Sequence, residues 1–75
     1  MKDSIIEIKG LKNCPYCNEY PIVYNFRDRN YLGEEGYKTV IRCKKNSCRE
    51  VSYWHKIRIT SLRKTMMFWG VVNDG

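Results

Sequence analysis

The chain has 75 residues, 43% of them apolar and 13% aromatic, with a formal net charge of +6. That length is one small domain, too short for a multidomain enzyme with a large cofactor pocket, and its own core supplies only roughly 3–5 kcal/mol. No run approaches the ~20 apolar residues of a membrane span, and a start carrying Asp3 and Glu7 does not read as a secretory signal, so a soluble, cytoplasmic protein without membrane or small-molecule partners is expected.

In chain order, Ser4-Ile5-Ile6-Glu7-Ile8-Lys9 alternates in part and ends at Gly10, which predicts a short strand or extended arm over residues 1–10. A tight turn, or knuckle, follows over 11–18, around Cys14-Pro15-Tyr16-Cys17. Tyr20 to Arg27 is β-rich, with Pro21 near its start, where a missing donor does least harm. Ile22, Tyr24 and Phe26 then share one face, and Val23 and Asn25 the other. Asp28 to Gly36 reads as a polar loop, and Tyr37 to Arg42 as the strand that delivers Cys43. After a second knuckle ending at Cys48, Val51-Ser52-Tyr53-Trp54 is a strand. The pattern extends it through His55 to Ile59, with Ile57 and Ile59 on one face and Lys56 and Arg58 on the other. Tyr53 and Trp54 must point to opposite faces. From Thr60 or Ser61, as helix cap, Leu62, Met66, Trp69 and Val71 or Val72 fall on one helical face, predicting a helix over 60–73 that Gly70 weakens. The expected class is a small α+β zinc-binding domain of ribbon type: an antiparallel sheet with two knuckles, residues 11–59, and a C-terminal helix.

The zinc expectation comes from cysteine spacing. Cys14 and Cys17 are separated by two residues, Cys43 and Cys48 by four. Each pair supplies two thiolates from one turn, and two such turns face to face hold a tetrahedral Zn²⁺ at about 2.3 Å. Asn18, after the second ligand, suits a left-handed conformation in the place Gly usually takes. Disulfides, a glutaredoxin-like Cys-Pro-Tyr-Cys and purely structural thiols compete with this reading. The first needs an oxidising compartment, and the second needs a longer βαβ chain with a helix after Cys17, which Pro21 opposes. One structural Zn²⁺ held by Cys14, Cys17, Cys43 and Cys48 closes its shell and leaves no position for a reacting water, so the domain is expected not to be an enzyme. Its formal −2 lowers the net charge to about +4. His55 is a weaker fifth candidate ligand, seven residues beyond Cys48.

The charge is uneven. Residues 1–37 balance at −1, whereas 38–64 carry nine basic side chains against Glu50 alone. Arg42, Lys44, Lys45, Arg49, Lys56, Arg58, Arg63 and Lys64 are therefore candidate contacts to nucleic acid or an acidic protein, with Tyr53 and Trp54 as aromatic partners.

Leu11-Lys12-Asn13-Cys14-Pro15-Tyr16-Cys17-Asn18, a hairpin, Val40-Ile41-Arg42-Cys43, a second knuckle and a helix carrying Trp69 together resemble the Lar-like restriction alleviation zinc ribbons, over about residues 11–73. The chain departs from that pattern at Asn13, at Asn18-Glu19, in the wider second pair and in Gly70 after Trp69. The resemblance implies a four-cysteine zinc ribbon, a bacteriophage setting inside a bacterial host cell, and a role in modulating host restriction–modification. The expected function is accordingly a non-catalytic module that binds a host or phage protein or nucleoprotein complex. The alternative is a low-specificity nucleic-acid-binding ribbon that uses residues 38–64.

Overall fold

In the computed structural model, which describes residues 4–6, 8, 10–16, 18–43 and 49–71, an antiparallel sheet is covered on one face by a single helix. The strands are β1 (Ser4–Ile6), β2 (Pro21–Arg29), β3 (Glu35–Cys43) and β4 (Glu50–His55), ordered β1-β2-β3-β4, and the helix is α1 (Arg58–Trp69). The short edge strand β1 pairs Ile5 with Tyr24, so the arm expected at 1–10 joins the sheet at least over these residues.

The β2–β3 hairpin is longer than the sequence pattern predicts, because the polar loop expected over Asp28 to Gly36 shrinks to residues 30–34. Asn30 closes that turn. Its Oδ1 accepts the Leu32 and Glu34 amides, both at 2.9 Å, its backbone N–H donates to the Glu34 carbonyl, and Gly33 takes φ +83°. Asp28 and Arg29 thereby pair with Gly36 and Glu35, and Arg27 and Arg29 both reach the Glu35 carboxylate. Charged residues read as loop by composition are thus accommodated at the wet end of a hairpin.

One sheet face forms the core. Val23 and Asn25 of β2 and Thr39, Ile41 and Cys43 of β3 are buried there, with Leu11, Cys14 and Trp69. Cross-strand register puts Val51 beside Ile41 and Tyr53 beside Thr39 on this face, and Trp54 beside Lys38 on the other, as the parity of the strand requires.

The C-terminal part departs from expectation in three ways. First, β4 stops at His55, whose Nδ1 accepts the Ile57 amide, so Ile57 and Ile59 are not strand residues. Second, α1 starts at Arg58 with Ile57 as its cap, and neither Thr60 nor Ser61 caps it. The helix stops at Trp69, where Gly70 turns away at φ +111° and donates to the Met66 carbonyl. Val71 then pairs with Leu11 instead of extending the helix, and Val72 lies outside the described residues. Third, the buried stripe is Ser61, Thr65 and Trp69, with Leu62 and Met66 packed at its margin. Spacing of four keeps the three on one face. A reading that counts apolar residues misses this stripe because two of its members are hydroxyls.

Those hydroxyls are fully hydrogen-bonded. Asn25 Nδ2 donates to Thr39 Oγ1 at 2.7 Å, Thr39 Oγ1 and Ser61 Oγ share a 2.8 Å bond, and Ser61 Oγ also reaches the Tyr53 carbonyl at 2.8 Å. Thr65 Oγ1 donates to the Ser61 carbonyl, and Arg58 Nε donates to Asn25 Oδ1 at 2.6 Å. Among the described residues no buried side-chain polar atom lacks a partner. Small side chains let the helix lie close on β3 and β4, and the network fixes where it lies.

Candidate metal centre and interaction surfaces

Cys14 and Cys43 are brought into one core cluster, 1% and 0% exposed, although 29 positions apart in the chain. The first sits in a closed turn: the Asn18 amide donates to the Cys14 carbonyl and the Cys14 amide to the Glu19 carbonyl, both at 2.8 Å. Asn18 takes φ +60°, the left-handed conformation expected of it. The second cysteine ends β3, opposite Pro21 at the start of β2, and its amide donates to the Arg49 carbonyl at 3.0 Å. That bond joins the two described residues that flank the segment in which the second knuckle is expected. Cys17 and Cys48, the other two expected ligands, lie outside the described residues, as do Lys44 and Lys45. Among the described residues no three potential metal ligands come together.

Trp69 ties the two turns to the helix. Its Nε1 donates to the Lys12 carbonyl at 2.6 Å, two residues before Cys14, and the Lys12 amide donates to the Gly70 carbonyl at 3.2 Å. On the other side, the Arg49 guanidinium stacks 4.6 Å from the Trp69 ring centre and donates to the Trp69 and Phe68 carbonyls at 3.1 and 3.2 Å. A cation on the last carbonyls of a helix satisfies them and offsets the negative end of its dipole. Cys14 and Cys43 put two sulfurs in one water-poor core, half of the donor set a four-thiolate Zn²⁺ site takes.

His55 is not part of this centre. It stands opposite Tyr37, six residues along β3 from Cys43, about 20 Å at strand rise, with its Nδ1 engaged by Ile57.

Among the described residues the basic candidates do not form one patch. Arg49 is occupied at the helix end. Arg58 opens α1 and holds Asn25, whereas Arg63 and Lys64 are exposed on the outer side of α1, and Lys56 lies 3.9 Å from Glu34. Arg42 faces the opposite side of the sheet, stacked 5.6 Å from the Tyr24 ring. The aromatic candidates separate likewise. Tyr53 is half-buried beside the helix, edge-on to Phe68 at 5.7 Å, and Trp54 lies on the face away from it.

That second face holds groups that reading the chain segment by segment did not collect. Register aligns Phe26, Lys38 and Trp54 in one row, Tyr24, Val40 and Ser52 in the next, and Ile22, Arg42 and Glu50 in a third. The cue was present in the alternation Ile22-Tyr24-Phe26, but pairing it with Lys38 and Trp54 requires the register.

An open cleft of about 400 Å³ lined by Arg27, Asp28, Arg29, Glu35 and Gly36 lies at the hairpin end of the sheet, away from Cys14 and Cys43. Among the described residues no helix is long and apolar enough to cross a membrane. No family model, no curated protein and no solved structure matches the chain, so its interpretation rests on its own residues.

Proposed function

We propose that this chain is a non-catalytic zinc-ribbon module of the Lar-like type, held together by one structural Zn²⁺ on Cys14, Cys17, Cys43 and Cys48, that docks on a host or phage protein or nucleoprotein complex in the bacterial cytoplasm and alters its activity. The observation that carries the reading is the burial of Cys14 and Cys43 in one core, the first in a hydrogen-bonded turn and the second at the end of β3 with its amide bonded to the Arg49 carbonyl. Bound there, the metal supplies folding energy and no reactive position, since four thiolates complete its shell. The chain's residues do the rest. Trp69 and Arg49 brace the two turns against α1, and exposed side chains such as Tyr16, Ile59, Met67 and Phe68 are available to a partner.

Two measurements test this. Elemental analysis of the purified chain should give one zinc per molecule, lost in Cys43→Ser. Expressing the chain in a restricting bacterial host should raise the plating efficiency of an unmodified phage. Unchanged plating with folded, zinc-loaded protein removes restriction–modification from the reading. The alternative, low-specificity nucleic-acid binding through all of residues 38–64, is disfavoured as a single footprint by the split of its basic residues between the two faces and the helix end.

A further inference from the structure

We infer that the helix-free face of the sheet is a stacking surface for single-stranded nucleic acid, with Phe26 and Trp54 as the base platforms and Lys38 as the phosphate contact between them. The inference deepens the module reading by naming a partner chemistry, and it rests on that reading only for the folded state of the sheet.

The cross-strand row of Phe26, Lys38 and Trp54 carries it. A Cβ built on Gly36 would meet Trp54 Cζ2 at 2.4 Å and Cε2 at 2.7 Å, so one edge of the indole sits against the backbone of β3, in space that only glycine leaves open. Its Nε1 donates to the Asp28 carbonyl at 3.1 Å, which satisfies the polar edge and fixes the ring. Phe26 stands in the same cross-strand row, about 10 Å away by strand spacing, and Tyr24 is two residues along β2, about 7 Å from Phe26. Lys38 occupies the position between Phe26 and Trp54.

All three aromatic residues are half-buried, so their bodies are anchored in the sheet while part of each stays accessible. Asp28 and Glu50 sit at opposite ends of the strip, Glu50 beside Arg42, which stacks on Tyr24, and the centre is left to Phe26, Lys38 and Trp54. Among the described residues no element covers this face, because the helix contacts with Thr39 and Tyr53 are all on the other.

A flat sheet offers nothing to insert into a duplex groove, whereas separated rings with a cation between them match unstacked bases on a flexible phosphate chain. The helix surface is the weaker candidate. It carries Arg63 and Lys64, but its exposed ring, Phe68, meets Tyr53 edge-on and is half exposed.

The experiment titrates full-length, zinc-assayed protein with the oligonucleotide dT15 and with a 15-base-pair duplex at 50 and 200 mM salt, following anisotropy and tryptophan emission. Expected are preferential binding of dT15, a salt slope of about 0.7 log unit per phosphate neutralised, and quenching of emission. Quenching should vanish in Trp54→Phe with affinity nearly kept, and persist in Trp69→Phe. Phe26→Leu, which keeps apolar volume in the sheet, should weaken dT15 binding about tenfold, and Lys38→Glu should weaken it and flatten the salt slope.

Equal binding of duplex, binding without Trp54 quenching, or full affinity in Phe26→Leu and Lys38→Glu overturns the inference. So does loss of binding only in Arg63→Glu/Lys64→Glu, which moves the contact to the helix. A folded, zinc-loaded protein that binds no dT15 at 50 mM salt also overturns it, and assigns the face to a protein partner. A folded, metal-free chain that binds dT15 with Trp54 quenching instead overturns the zinc reading and leaves the stacking surface standing.

Discussion

Two residues show how much of this domain depends on single side chains at chain reversals. Asn18 holds φ +60° in the first cysteine turn, where a Cβ-bearing residue without a local polar partner is strained. Its side chain also receives a bond from Asn13. Asn18→Ala should therefore lower the stability of the metal-loaded protein by about 1 kcal/mol, and Asn18→Gly should leave it within a few tenths, as urea unfolding midpoints will show. Arg49 does three things at once: it stacks on Trp69, caps the carbonyls of Phe68 and Trp69, and receives the Cys43 amide on its own carbonyl. Only the last survives side-chain truncation. Arg49→Met, which keeps the apolar stem, should cost about 1–2 kcal/mol, and the loss should appear as earlier exchange of the amides in the last turn of α1. The sequence offers Arg49 as a candidate contact to nucleic acid or an acidic protein. Its structural role depends on a contact 20 positions away that charge counting does not reveal.

At the scale of elements, α1 is held on the sheet by hydroxyls as much as by apolar side chains. Ser61 bridges Thr39 on β3 and the Tyr53 carbonyl on β4, so Ser61→Ala leaves two buried groups short of a partner. The expected cost is about 1–2 kcal/mol in chemical unfolding, large for removal of one oxygen, and a cost near zero would show that the helix is positioned by Trp69 alone. This packing explains what the sequence made legible. Strand parity, the turn at Asn18 and the half-buried strands could be read because period-two alternation and left-handed turns are local properties. The helix start, its buried face and the short hairpin loop could not. Ile57 is an unpromising cap, Ser61 and Thr65 look like solvent residues, and Asp28 to Gly36 has the composition of a loop. In each case a specific hydrogen bond overrides composition: the Ile57 amide to His55 Nδ1 and the Glu34 amide to Asn30 Oδ1 within their own turns, and Ser61 to Thr39 across the fold. Of the candidate site, the spacing anticipates that Cys14 and Cys43 meet in one core. The partition of basic residues between two faces was not legible, since it depends on strand register and helix placement.

At the scale of the whole molecule, the proposed metal and the core share one location. Cys14 and Cys43 are members of the same cluster as Leu11, Val23, Ile41 and Trp69, so losing the ion would leave sulfurs without their ligand bonds at the centre of the only core cluster the described residues form. A core of this size contributes roughly 3–5 kcal/mol, whereas a structural zinc site contributes about 10–16 kcal/mol of apparent binding energy at neutral pH. The metal-bound form should therefore unfold as a unit when the ion is withdrawn. Excess chelator should abolish the dispersed amide spectrum of β2, β3 and β4 together with that of α1, and added Zn²⁺ should restore both with the same midpoint. Thiol counting separates this from the disulfide alternative. With zinc, four thiols are slow to react before chelation and four react after it, without added reductant. A disulfide-linked protein yields its thiols only to a reductant and ignores the chelator. Acid should act in the same direction as chelation, because protons compete with the ion for the thiolates, and refolding on neutralisation should then require that zinc be present. If the chain keeps its sheet and helix through exhaustive chelation, the turns at Cys14 and Cys43 are held by Trp69, Arg49 and their backbone bonds alone, and the cysteines are packing residues.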